Sequence, residues 1–105
     1  MDKSSLVARL MAEHGYPARG AELIAEQVLV ATPAVRQAFA HWWETGDLPE
    51  LSVEGYTAQR LIAEHGMNPV AAILTLDWIA RDPTNAMAAV RRGHDRVSFR
   101  STRAK

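Results

Sequence analysis

At 105 residues the chain is sized for one domain, long enough to bury a core of its own. Its 48% apolar and 23% charged content is that of an ordinary globular protein, and the lack of cysteine excludes disulfides, thiolate metal sites and cysteine nucleophiles. A net charge of zero conceals a split: from Arg91 onward six basic residues stand against one acid, Asp95, while the residues before it hold six basic residues and eleven acids.

The start, Met1-Asp2-Lys3-Ser4-Ser5, opens no signal-peptide core, and no apolar run approaches the roughly 18–20 residues that span a bilayer. A soluble, cytoplasmic protein without membrane contact is the expectation. Leu6, Val7, Leu10, Met11 and His14 share one helix face, with Ser4 or Ser5 as cap and Gly15 as stop. Pro17 opens a second helix whose apolar face runs through Ala21, Ile24 and Val28. Thr32-Pro33 joins a capping hydroxyl to a proline suited to a first helical turn, and the third helix carries Val35, Ala38, Phe39, Trp42 and Trp43 before Thr45-Gly46.

Residues 46–56 hold two glycines and a proline with no sustained period, which predicts a linker with room for a short turn. Thr57 caps a fourth helix with Ala58, Leu61, Ile62 and His65 on one face, stopped by Gly66. Asn68-Pro69 starts a fifth and Asp82-Pro83 a sixth, which runs to about Arg92-Gly93. The remainder, 94–105, has no core-forming pattern and is expected to be a mobile basic tail.

Seven residues occur twice. Arg9-Leu10-Met11-Ala12-Glu13-His14-Gly15 returns as Arg60-Leu61-Ile62-Ala63-Glu64-His65-Gly66, offset by 51 and differing only at Met/Ile. Ala21/Ala72, Leu23/Leu74 and Val28/Ile79 keep that offset, and Pro33/Pro83 and Ala38/Ala88 match at 50. The expected fold is therefore all-α: a compact bundle of about six short helices. Two similar three-helix units (4–46 and 57–93, joined by the 46–56 linker) would make one domain, 1–93, with approximate internal two-fold symmetry.

Few residues invite chemistry. Glu13-His14 and Glu64-His65 would offer two histidines and two carboxylates to a metal ion if the units met at a dyad. Adjacent helical residues point about 100° apart, however, and a histidine in a last turn is accounted for by the helix dipole. His41 and Glu44, spaced i, i+3, have no second such pair to complete a bundle metal site. Asp77, the one acid of an almost wholly apolar fifth helix, is expected to pair with Arg81. The stretch Ala58–Thr75 resembles a helix-turn-helix motif in outline, yet its second helix offers no Arg, Lys or Gln to base edges before Arg81. No nucleophile elbow, phosphate loop or dinucleotide fingerprint occurs.

These readings predict a small interaction module without catalysis or cofactor, self-associating, as in a homodimer, or binding a protein partner. Trp42, Trp43 and Trp78 are its candidate interface residues, because one tryptophan of the adjacent pair should be left at the rim of the core. The alternative is a nucleic-acid-associated accessory protein contacting phosphates through Arg91, Arg92, Arg96, Arg100, Arg103 and Lys105.

Overall fold

The computed structural model describes residues 2–93 as helices and one short hairpin. In order they are α1 (Lys3–His14), α2 (Ala18–Leu29), α3 (Pro33–Thr45), β1 (Ser52–Val53), β2 (Tyr56–Thr57), α4 (Ala58–His65), α5 (Pro69–Arg81) and α6 (Pro83–Arg91). The all-α class and the six helices are as expected.

Helix ends are set by local chemistry, in places by other atoms than expected. Asp2, ahead of both serines, caps α1 by accepting the Ser5 N–H at 2.8 Å. Thr57 and Asn68 cap α4 and α5 through their side-chain oxygens, accepting from Arg60 N–H at 3.2 Å and Ala71 N–H at 2.8 Å. Thr32 does not use its hydroxyl at the start of α3. Its own N–H donates instead to the Asp77 carboxylate on α5, at 2.8 Å. Asp82 likewise makes no side-chain cap for α6 and accepts from the Asn85 side-chain amide at 2.9 Å. Gly15, Gly46 and Gly66 end α1, α3 and α4 in the left-handed conformation.

The linker contains more than a turn. Ser52 pairs with Thr57 and Val53 with Tyr56, and Glu54-Gly55 makes the two-residue loop with φ of 52° and 83°. Two successive positive φ values are what a type I′ hairpin requires, which is why glycine occupies the second. The hairpin packs on α4 and α5.

α5 is the central element, packed against α3, α4, α6 and both strands. From Val70 to Leu76 every side chain is buried, and Ile79 continues the seam. Its apolar circumference is therefore spent inside one molecule. Leu6, Leu10, Ile24, Val28, Phe39 and Leu61 join it in one continuous core. Met11, expected in that core, is exposed, whereas its counterpart Ile62 packs against the core's edge. The halves also differ in packing: α2, the counterpart of α5, has α1 and α3 as its principal partners, and α1 has 12 residues where α4 has 8. No described helix is long and apolar enough to cross a membrane.

Candidate functional site

The repeated heptapeptide builds the same clasp twice. In the first copy the Arg9 guanidinium forks onto the Glu13 carboxylate one turn on, at 3.1–3.3 Å, and its central carbon lies 4.3 Å from the centroid of the Trp43 ring. His14 stacks on the same indole at 5.5 Å and 24°. In the second copy Arg60 pairs with Glu64 at 3.0 Å and sits 5.1 Å from the Tyr56 ring, which His65 meets at 6.3 Å. The aromatic differs in origin: α3 supplies Trp43 and the hairpin supplies Tyr56.

The four residues considered for a metal are accounted for by these clasps. Each glutamate is committed to its arginine, whose hydrogen bonds hold the Glu13 and Glu64 carboxyls below their ordinary pKa. Each histidine lies against its own aromatic. Burial against the indoles pushes the His14 imidazole below its usual value, with Glu13 opposing and Arg9 adding to the shift. Among the described residues no three His, Asp or Glu side chains gather to hold a metal ion.

Trp42 and Trp43 are both buried, 8% and 9% exposed, so neither is left at the rim. Phe39 lies one turn back, stacked on Trp43 at 5.3 Å and edge-on to Trp42 at 5.6 Å. His14 reaches both indoles from α1. A small pocket of about 160 Å³ remains between Arg9, Glu13, the indoles and Gly46. Trp78, on α5, is half-buried against the core. Arg91 and Arg92 are exposed at the end of α6, and Arg96, Arg100, Arg103 and Lys105 lie outside the described residues.

A larger concavity was not foreseen. An open groove of about 710 Å³ runs between one face of α3 and the loop 47–51. Exposed Ala34 and buried Ala38 line the helix side, and Leu48, Pro49 and Leu51 line the loop side. His41, Asp47 and Glu50 stand at its polar edge. From Gln37 to Gln59 the chain has four carboxylates, Glu44, Asp47, Glu50 and Glu54, and no lysine or arginine. All four are exposed and, like Asp2, Glu22 and Asp82, none forms an ion pair with a described residue, whereas Glu13, Glu26, Glu64 and Asp77 do. Sequence patterning marks the acids, but the groove depends on how the loop folds over α3.

No family model, curated protein or solved structure matches this chain.

Proposed function

We propose that the protein is a small cytoplasmic interaction module that acts by binding, without catalysis, and that its groove takes a basic, apolar-bearing segment of a partner protein. The observation supporting this reading is the union of an apolar floor with carboxylates that lack cationic partners among the described residues. Apolar side chains of a docked segment would be desolvated on Ala34, Ala38, Leu48 and Leu51, while its cations meet Asp47 and Glu50. Burial of Val70–Leu76 on α5 and of Trp42 and Trp43 weighs against self-association through them, and leaves half-buried Trp78 as the remaining candidate for such contact. Two such grooves set face to face would also oppose carboxylate to carboxylate, which favours a different partner over a second copy.

Calorimetric titration of a short synthetic peptide alternating arginine with valine and phenylalanine tests this. Binding is expected that weakens with salt, falls about tenfold (~1.4 kcal/mol) in Glu50→Lys, and vanishes when the peptide's arginines become glutamates. Equal binding of the basic and acidic peptides, or none of either, overturns the reading.

The exposure of Arg91 and Arg92 supports a second reading, phosphate contact by the basic end of the chain. A gel-shift series over increasing salt tests it, because counterion release makes such affinity fall steeply.

A further inference from the structure

We propose that the partner's basic segment docks as an extended strand on the open edge of β1 and of the loop leading into it, making the hairpin a three-stranded sheet. The inference rests on the groove reading above and deepens it, by fixing the conformation of the docked segment and the atoms that hold it.

Backbone pairing is the first argument. Glu54-Gly55 closes a two-residue loop, so Val53 and Tyr56 are the pair that exchanges ladder hydrogen bonds, and Ser52 and Thr57 form the next, unbonded pair. The Ser52 N–H and C=O therefore point away from β2, out of the hairpin's edge. Upstream, the main-chain N–H and C=O of Leu48 and Glu50 make no hydrogen bond with any described residue. Glu50 and Ser52 are exposed while Leu51 and Val53 are half-buried, which is the two-residue period of an extended chain. Pro49, which has no N–H to donate, falls out of phase with Glu50 and Ser52. Unpaired main-chain groups at this spacing are what an added strand takes up.

Charge selects the occupant. An open edge accepts any strand, a second copy of the same chain included. Here Asp47 and Glu50 stand beside it, exposed and without an ion pair to any described residue. Two copies meeting edge to edge would crowd these carboxylates together, whereas a segment with a cation at every second residue neutralises them. Side chains of an added strand alternate between faces. Its arginines then share the face of Glu50, and its apolar residues share that of Leu51, which lines the groove.

The peptide alternating arginine with valine and phenylalanine tests this in two further forms, one N-methylated at the arginine amides and the other at the apolar-residue amides. An edge strand offers only every second amide to its neighbour. One form is expected to bind about tenfold more weakly, the equivalent of roughly two hydrogen bonds, while the other keeps the affinity of the parent peptide. In the protein, amide exchange at Glu50 and Ser52 should slow about tenfold when nine-tenths of the molecules carry peptide. Ser52→Pro removes the outward N–H without touching the Val53–Tyr56 pair and should weaken binding about fivefold. Should that variant lose the hairpin, the methylated peptides decide with the protein unaltered.

Equal affinity of the two methylated peptides overturns strand docking and leaves the groove reading standing, as does a complex in which the Glu50 and Ser52 amides exchange unslowed. No binding of the unmethylated peptide overturns the groove reading and strand docking together.

Discussion

The side-chain amide of Asn68 donates to the phenolic oxygen of Tyr16 at 3.0 Å, joining the turn after one copy of the repeat to the turn after the other. Tyr16 follows Gly15 directly, and Asn68 comes two residues after Gly66. The same amide side chain accepts the Ala71 N–H, so one residue both caps α5 and fastens the end of α1 to it. Asn68→Ala should cost about 2 kcal/mol, a cap plus a part-buried hydrogen bond. Asn68→Ser restores the cap alone and should recover about half. Urea unfolding of the two variants separates the contributions.

Gly15 and Gly66 hold φ of 74° and 70°, and a Cβ added at either would meet no atom within 4 Å. The penalty for a side chain is therefore purely conformational. Gly15→Ala and Gly66→Ala should each lose about 1–2 kcal/mol, with asparagine better tolerated than alanine at both sites. Thermal unfolding of the alanine and asparagine pairs checks the order.

Asp77 holds three segments together. Its carboxylate accepts the Thr32 N–H, forms an ion pair with Arg81 at 3.0 Å, and sits beside a second tie, the Arg81 guanidinium donating to the Val30 carbonyl. The α2–α3 connection is thereby clamped to the central helix. Asp77→Ala leaves the N–H and the guanidinium short of their acceptor and should cost about 2–3 kcal/mol. Asp77→Asn keeps an acceptor for Thr32 and should cost less. Hydrogen exchange at Thr32 would report the local loss directly.

His14 makes stability depend on pH near neutrality. Its folded-state pKa lies below the ordinary 6.5 because burial disfavours the imidazolium. The unfolded chain then binds more protons there, so the contribution is present above 6.5 and is lost as the pH falls through 6.5 toward the folded value. Denaturant midpoints should drop between neutral and mildly acidic pH, and the drop should shrink in His14→Gln. Glu13 and Glu64, held low by their arginines, act in the same direction at lower pH, below the ordinary carboxylate value of 4.5.

The helices and their stops were legible because glycine, proline and capping side chains act within one turn of chain. Patterning also placed Val35, Ala38 and Phe39 inside. The fate of Trp42 and Trp43 was not legible from α3 alone: adjacent positions diverge around a helix, and only the end of α1, bringing Arg9 and His14, closes the second side. The hairpin escaped because strands of two residues are too short for an alternating pattern, leaving Glu54-Gly55 as its one signal. Apolarity around α5 pointed to burial without saying whether one molecule or two would provide it. The groove was least visible, since it arises from a loop lying on a helix and from no motif in either.

The aromatic cluster also gives the molecule an optical property. Trp42 and Trp43 lie 5.9 Å apart with their rings inclined by 57°. Two transition dipoles that near and that oblique couple as excitons, and the couplet belongs to one place in the chain. Circular dichroism from this pair therefore reports the packed side-chain conformations of two neighbouring positions on α3, which His14 of α1 covers.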